Sequence, residues 1–371
     1  MKLNEIYARP ILNSKGKWTV EVHVRLEDGS MAFASVPEGI STGATEAKYV
    51  TVEESVKIVK DEFSRKLKNA DVSDLDLLDQ KLIDIDNTND KSRIGANTML
   101  ATSIACARAF SVSQNIELYE YLNRFIPVNL KKTLPELFVL VFEGGAHGDT
   151  RMQIQEFLAV VPTLEKGLSV YQSVTKEVRQ NGFSTNLGAE GALSPENFSA
   201  HEAVKYMKKF NEDIALDVAA SSVAEATEEY ELLAKDYDFF SVEDPYSENE
   251  WEKWSEFLVR NPKQMVVADD IVTTNSELIR KGVEEKIANA VIIKPNQIGT
   301  ITEAIRAVNV ARNAGWKIIC SHRGGETNDD FIADFAVAVV SDYVKFGGFS
   351  RGERIAKYNR LFQIRDKISK L

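Results

Sequence analysis

Short apolar runs that lead into a charged residue recur along the C-terminal two thirds of the chain. One run, 290–293 (AVII), leads directly into Lys294 and Pro295. Apolar runs without alternation are typical of strands buried on both faces of a parallel sheet, and Pro295 cannot continue a strand ladder. The same pattern precedes six other ionisable residues, spaced by about two dozen residues: Glu190, Asp217, Glu243, Asp269, His322 and Lys345.

Helical patterns fill the spaces between these runs. In one of them Ile301, Ala304, Ile305 and Val308 share one helical face, and Gly315 is a stop signal. A repeated strand–helix unit with a charged residue at each strand's end is typical of a barrel with its active site at the carboxyl ends of the strands. We therefore predict an α/β fold in which residues 131–371 form a (β/α)8-type barrel that carries the active site.

The first 130 residues carry a different pattern. Residues 18–25 alternate (WTVEVHVR), a turn follows at 27–30, and residues 31–36 form a second predicted strand. Residues 98–113 favour a helix. Strands followed by helices predict an α+β domain over 1–130, placed as a cap on the barrel. The loop VPEGISTGATEA, which contains Ser41, is either an ordinary turn or a lid.

Composition narrows the class of protein. The 371 residues are 44% hydrophobic, and no apolar run approaches the roughly 20 residues of a membrane span. We therefore expect a globular protein without a membrane partner. Two cysteines provide no disulfide framework and favour a cytoplasmic location. The net charge of −11 argues against a nucleic-acid partner, and it means that an anionic substrate needs local metal ions, arginines or lysines.

Lys294 is the first candidate for chemistry. A lysine at the end of a dry strand can lose its proton near neutral pH, because burial disfavours the charged form. A lone lysine at this place would more often point into solvent. The series of charged strand ends makes that alternative less favoured here.

The motifs of the whole chain resemble those of the enolase family. The segments that carry the resemblance, in order, are ARPILNSKG, VPEGISTGATEA, GANTMLATSIACARA, EGGAHGDT, IQEFLAVVP, STNLGAEGALSP, IALDVAAS, SVEDP, VADDIVTTN, IIKPNQIGT, SHRGGETND and SRGERIAKYN. The resemblance implies a capped barrel, two Mg²⁺ ions, a homodimer, and the dehydration of 2-phospho-D-glycerate to phosphoenolpyruvate. Fold alone does not establish function, so the site residues must carry the functional claim.

The resemblance assigns roles to individual residues. In this superfamily a Lys or His base acts with one or two Mg²⁺ ions that stabilise the ene-diolate, which would make Lys294 the base. Glu190 would be the general acid. Asp217, Glu243 and Asp269 would hold the first Mg²⁺, since such carboxylates on successive strands suit its hard-oxygen shell, although they would also pass as ordinary strand-end acids. The remaining residues would bind the phosphorylated carboxylate substrate: Ser41 (through the second Mg²⁺, which arrives with substrate), His147, Gln155, Glu156, His322, Arg323 on the phosphate, Gly324, and Lys345 on the carboxylate.

The chain departs from the family pattern at several of these motifs. Glu143 replaces an amide in the family's N-G-G-S-H, and Ala189 replaces the acid of G-D-E-G. Gly324 stands where the family has a serine that binds phosphate. Residues are also missing after Ala47 and between 220 and 230, which makes the chain shorter than usual. These departures leave two alternatives open: a related lyase that acts on another carboxylate, and a non-catalytic paralogue.

Overall fold

The computed structural model describes residues 1–39, 43–129, 134–148 and 150–368. Ser41 lies outside this part of the chain. A three-stranded antiparallel sheet and a set of helices form the N-terminal unit, as expected. Its elements are β1 (Leu3–Leu12), β2 (Trp18–Leu26), β3 (Met31–Ser35), α1 (Val52–Ile58), a π-helical segment (Val59–Phe63), α2 (Ser64–Lys66), α3 (Leu75–Asp86), α4 (Ala96–Gln114) and α5 (Leu118–Asn123).

The two faces of the cap sheet differ in character. Val20, Val22 and Val24 of β2 point inward and are fully buried, and α4 covers that face. On the outer face Tyr7, His23 and Phe33 stack across the three strands. Alternation along the strands therefore produced the expected inner core, and it also left an aromatic row on the surface.

Eight strands form a closed barrel in the C-terminal unit. The strands are β4 (Glu136–Glu143), β5 (Glu156–Val161), β6 (Ile214–Asp217), β7 (Ser241–Glu243), β8 (Met265–Ala268), β9 (Ala290–Ile293), β10 (Lys317–Ser321) and β11 (Tyr343–Lys345). The helices are α6 (Leu164–Gln180), α7 (Ala200–Lys208), α8 (Ala226–Leu233), α9 (Trp251–Arg260), α10 (Ser276–Glu285), α11 (Ile301–Asn313), α12 (Phe331–Ala338) and α13 (Gly352–Ile368). The predicted strand before Pro295 and the predicted helix over 301–308 are both confirmed.

One strand of the barrel runs against the others. β5 pairs antiparallel with both β4 and β6, whereas the remaining neighbours are parallel. The order along the chain is two strands, two helices, and then six strand–helix units. The barrel class is as predicted, but its first quarter is a hairpin rather than two strand–helix units. Within the described residues, no helix combines the length and the apolar character needed to cross a bilayer.

A buried carboxyl joins the cap to the barrel. Asp79 of α3 is fully buried, and its Oδ2 accepts the N–H of Thr302 in the first turn of α11 at 2.9 Å. Burial raises the pKa of Asp79 to about 7, even though hydrogen bonds from Ser103 and Thr302 lower it. Because the unfolded carboxyl ionises near its ordinary value of 3.8, the folded state binds the extra proton between those two pH values. Stability is therefore lost as the pH rises through that window, and the loss is complete above pH 7.

Asp79→Asn is expected to remove this pH dependence while it keeps an acceptor for Thr302. The difference in the free energy of unfolding, variant minus parent, should increase from pH 5 to pH 8 by on the order of 2 kcal/mol. Urea unfolding of both proteins at the two pH values measures it. An effect of equal size at both pH values would show that burial does not hold the proton on Asp79.

Candidate active site

The carboxyl ends of the barrel strands bring the predicted residues together. Asp217 ends β6, Glu243 ends β7 as its register partner, and Lys345 ends β11. Asp269, Lys294 and His322 each directly follow a strand, respectively β8, β9 and β10. The apolar runs seen in the sequence are buried strands, and their charged ends meet at one face of the barrel.

The reversed strand β5 contributes its first residue rather than its last. Because β5 runs antiparallel, Glu156 lies at the same barrel face as the carboxyl ends of its neighbours. It pairs in register with Glu143 on one side and Asp217 on the other. Gln155 precedes it, with Nε2 at 3.5 Å from Asp217 Oδ2.

Glu190 does not follow a strand, and this part of the prediction is wrong. The segment 184–190 is a loop between α6 and α7, with an isolated bridge from Leu187 to Leu193. Its β-like composition does not form a strand because the barrel already closes through β4, β5 and β6. Glu190 is nevertheless buried and faces the same cavity.

A small cavity of about 30 Å³ collects almost all of the predicted residues. Glu243 does not line it, but its carboxylate binds Lys345 directly. The predicted residues that line the cavity are His147, Gln155, Glu156, Glu190, Asp217, Asp269, Lys294, His322, Arg323, Gly324 and Lys345.

Lys345 sits among three carboxylates. Its Nζ lies 2.8 Å from Asp217 Oδ2, 2.8 Å from Glu243 Oε2 and 2.9 Å from Glu156 Oε2. Burial lowers the pKa of Lys345, but these carboxylates raise it well above its ordinary value. Burial, together with neighbouring carboxylates, also raises the pKa values of Glu156 and Glu243 well above their usual range. The site therefore holds more negative charge than its lysines balance.

Lys294 has a pKa opposite to the one expected from its position. Partial burial lowers its pKa, but its Nζ binds Asp269 Oδ2, and that carboxylate raises the pKa above the ordinary value. Gln297 Nε2 lies 3.3 Å from the other oxygen of Asp269. The expectation of a low lysine pKa considered burial alone, and the ion pair with Asp269 outweighs it.

Arg354 determines which ring nitrogen of His322 carries the proton. Its guanidinium Nη1 lies 2.8 Å from His322 Nδ1, and an arginine can only donate, so Nδ1 is the acceptor. Burial lowers the pKa of His322 to about 4. At neutral pH His322 is therefore uncharged, with its proton on Nε2, which lies 3.1 Å from Glu190 Oε2.

Among Glu190, His322 and His147, the negative charge lies on Glu190. Burial raises the pKa of Glu190, but the imidazoles of His322 and His147 lower it by more, to well below the usual range. His147 Nδ1 lies 3.9 Å from Glu190 Oε1, and burial lowers the pKa of His147. Glu190 is therefore a buried carboxylate between two neutral imidazoles.

Sequence reasoning missed the partner of Arg323. The guanidinium forms a two-pronged ion pair with Glu46 of the cap, with both nitrogen–oxygen distances at 3.0 Å. Glu46 also accepts the N–H of Gly43, and its Oε1 lies 3.3 Å from Gln297 Nε2. Glu46 lies in the quoted motif VPEGISTGATEA, so its position was visible in the sequence although its contact was not.

Two further acids were also missed. Asp244 and Asp270 directly follow Glu243 and Asp269 in the chain and line the same cavity. The carboxylate of Asp244 accepts the N–H groups of Asp269 and Asp270 at 3.0 Å each. Burial and the neighbouring Asp269 raise the pKa of Asp270 to about 7. The pairs of adjacent acids in the motifs SVEDP and VADD were the sequence signal that could have revealed these two residues.

The donor set fits a hard divalent cation. Carboxylate oxygens dominate it. Burial, followed by repulsion from neighbouring carboxylates, raises the pKa values of Glu156, Glu243 and Asp270, and a bound cation would favour their charged forms. Two groups of residues could each hold an ion, because the ligand atoms within each group all lie within 4.8 Å of one another. One group is His147, Glu156 and Glu190, and the other is Asp244, Asp269 and Asp270. In the predicted set, Asp217 and Glu243 bind Lys345, and Asp269 binds Lys294. A cation at this place would therefore compete with the two lysines.

Comparison with known proteins identifies the family. The family model described as the enolase N-terminal domain matches residues 3–122, and that of the enolase C-terminal TIM barrel domain matches 131–232 and 198–371. Similar curated proteins include Enolase 2 of Lactococcus lactis subsp. lactis, 37% identical over 99% of this chain and 97% of the relative. Enolase of Mycobacteroides abscessus is 37% identical, with 99% and 94% covered, and Enolase 1 of Lactococcus lactis subsp. cremoris is 38% identical, with 99% and 97% covered.

The alignments also confirm that the chain is short. The alignment with Enolase 2 spans 415 positions, more than the 371 residues present here. Both domains of the family are nevertheless matched, in the order of the family. On these grounds the chain belongs to the enolase family.

Proposed function

We propose that this chain catalyses the Mg²⁺-dependent, reversible dehydration of 2-phospho-D-glycerate to phosphoenolpyruvate. Membership of the enolase family supports a hydro-lyase of this kind, a phosphopyruvate hydratase. The observation that carries the proposal is one cavity lined by a partly buried lysine, a buried glutamate and acids that suit Mg²⁺. Lys294 and Glu190 enter that cavity from different elements, β9 and the α6–α7 loop, as an acid and a base on one small substrate require.

Lys294 is the base in this proposal, and it must enter the step uncharged. A cation bound at Asp269 would favour that form, because it would weaken the ion pair that raises the pKa of Lys294. It follows a fully buried strand, so its backbone position is held by the barrel. Removal of the C2 proton places a second negative charge on the substrate carboxylate. Lys345, which already binds three carboxylates, is suited to hold that group.

Asp217, Glu243 and Asp269 would hold the first Mg²⁺, and Ser41 would contribute to the second. When bound, Mg²⁺ stabilises the negative charge that develops on the substrate carboxylate. Ser41 lies outside the described residues, and its role comes from the family motif STG. Asp244 supports the backbone of Asp269, because its carboxylate accepts the N–H of that residue.

Glu190 is the general acid that gives a proton to the departing hydroxyl. It must enter this step protonated, and the negative charges of the bound substrate favour that form by raising its pKa. His322, with its proton on Nε2, and His147 hold the carboxyl in place. Gln155 and Glu156 complete this side of the substrate site.

Arg323 binds the phosphate group. Its planar guanidinium suits a charge-assisted bond to phosphate, and Glu46 fixes its orientation by accepting from both terminal nitrogens. Gly324 offers only backbone at the position where the family has a serine hydroxyl. The phosphate site is therefore one of the parts in which this chain departs from the family pattern.

A single assay tests the proposal. Formation of phosphoenolpyruvate, followed by ultraviolet absorbance, should require both 2-phospho-D-glycerate and Mg²⁺. Turnover of a different carboxylate in its place would favour the related lyase, and no turnover of either would favour the non-catalytic paralogue.

We also propose a homodimer, two domains that meet at residues 130–131, and a cytoplasmic location. The aromatic row on the cap sheet supports the dimer, since Tyr7 is 51% and Phe33 is 53% exposed. Beside it a groove of about 820 Å³ combines apolar residues such as Met31 with the charged Arg108 and Asp330.

Cys106 and Cys320 are free and buried, which agrees with the proposed location in a reducing compartment.

Phe33→Asp is expected to convert the dimer to monomers, because a charge in the aromatic row opposes burial against a second copy. Sedimentation velocity at micromolar concentration measures the mass. Val259→Asp, which changes a 69% exposed residue on α9, is the control and should leave the mass unchanged. A Phe33→Asp protein that sediments as the parent would place the interface elsewhere.

A further inference from the structure

Glu143 lies directly beneath the segment that carries Glu190. It ends β4 and is fully buried. Its Oε2 accepts the N–H of Glu190 at 2.9 Å, and its Oε1 accepts the N–H of Ala192 at 2.8 Å. One side chain therefore holds the backbone both at Glu190 and two residues beyond it.

The segment is shaped around this carboxyl group. A Cβ atom at Gly188 would lie 2.4 Å from Cδ of Glu143, so a larger residue there must displace one of the two. Gly188 donates its N–H to the carbonyl of Ala192, which closes the segment over Glu143. The glycine, the carboxyl and the turn form one packed unit.

The position of Glu190 depends on its contacts with Glu143, whereas several other site residues are held by the hydrogen bonds of barrel strands. Asp217, Glu243 and Lys345 lie in strands whose ladders hold them. The backbone around Glu190 is instead held by contacts with other loops: its carbonyl accepts the N–H of Gly348 at 3.1 Å, and His147 accepts the N–H of Ala189 at 3.0 Å. The side chain of Glu143 ties Glu190 itself to a strand of the barrel, and backbone bonds of Leu193 with Val141 and Glu143 tie the end of the segment to the same strand.

We propose that Glu143 is a positioning residue for Glu190, and that its carboxyl sets where the acid lies relative to His322 and the substrate. The inference rests on the proposed function for the chemistry of Glu190. It assigns a role to a residue at which the chain departs from its family pattern. Glu143 does not line the cavity, so it acts through Glu190 and not on the substrate.

Glu143→Gln tests the proposal with little change in shape. With its oxygen at the Oε1 position, the new amide keeps the bond to Ala192 and only the longer contact of 3.2 Å to Glu190. Its N–H₂ then faces the N–H of Glu190 in place of the acceptor at 2.9 Å, and the two donors repel each other, so the segment shifts. A misplacement of about 1 Å in an active site costs roughly 100-fold in rate. We therefore expect dehydration to slow by roughly 100-fold. Exchange of the C2 proton with solvent, which depends on Lys294, should stay within about twofold of the parent, because the base side of the site is untouched.

Asp86→Asn is the matched control. Asp86 is a buried carboxylate in the cap that also accepts two backbone N–H groups, from Thr88 and Ile94. Its substitution should lower stability without separating the two rates. Gly188→Ala, which presses on Glu143, should reproduce the separation seen with Glu143→Gln. A Glu143→Gln enzyme that loses exchange and dehydration together, or neither, overturns the proposal.

A crystal structure of the Glu143→Gln variant tests the inference independently of turnover. The Glu190 carboxyl should move by about 1 Å from His322 Nε2, with Asp217 and Lys294 in place. Glu190 at its parent position would refute the inference. A parent that neither exchanges nor dehydrates 2-phospho-D-glycerate would refute only the proposed function.

Discussion

Lys294→Ala is expected to abolish both turnover and C2 proton exchange. A general base contributes about 10²–10⁴-fold to a rate. Among the described residues that line the cavity, the remaining lysine is Lys345, whose ammonium is engaged by three carboxylates. We expect a loss of at least about 10³-fold in both rates. Incorporation of deuterium at C2 and phosphoenolpyruvate formation measure the two steps separately.

Lys317→Ala controls for the loss of a strand lysine. Lys317 begins β10 at the opposite end of the barrel and forms an exposed ion pair with Asp342 at 2.9 Å. Its removal should leave both rates unchanged. Proton exchange at close to the parent rate in Lys294→Ala would remove Lys294 from the role of base, whatever happened to dehydration.

Removal of divalent cations is expected to stop dehydration completely, and Mg²⁺ should restore it. Asp269→Asn should raise the Mg²⁺ concentration required by at least about tenfold, because it removes a ligand charge and disturbs the pair with Lys294. Activity titrated against Mg²⁺ in metal-buffered solution gives the midpoint for each protein.

Glu256→Gln provides the comparison for that titration. Glu256 is an exposed acid on α9, paired only with a neighbouring arginine among the described residues, and its loss should not shift the midpoint. Full activity of the parent in excess chelator would contradict the proposed mechanism and the metal roles of all three acids.

The barrel and most of its site could be predicted because they depend on local sequence. Apolar runs such as 290–293 are long enough to identify a buried strand, and the next charged residue then lies at the active face. The direction of β5 was not predictable in this way. Its residues read as a buried strand in either orientation, and only pairing with β4 and β6 decides between them.

Contacts between distant residues account for the errors. The pKa of Lys294 depends on Asp269, 25 residues earlier in the chain, and a sequence provides no distance between the two side chains. The role of Glu190 was suggested by a family motif, whereas its loop position and its support from Glu143 depend on packing. The motif predicted the chemistry of the residue but not the structure that holds it.

The loop position of Glu190 has a consequence for the stability of the two halves of the site. Segments held by side chains and loop contacts open by local unfolding at a lower free energy than the ladders of a closed barrel. The amides of Glu190 and Ala192 should therefore exchange with solvent before those of β9, which leads into Lys294. Under the proposed roles, we expect heating to stop protonation of the departing hydroxyl before it stops removal of the C2 proton. One short loop, and not the melting of the barrel, would then set the upper working temperature.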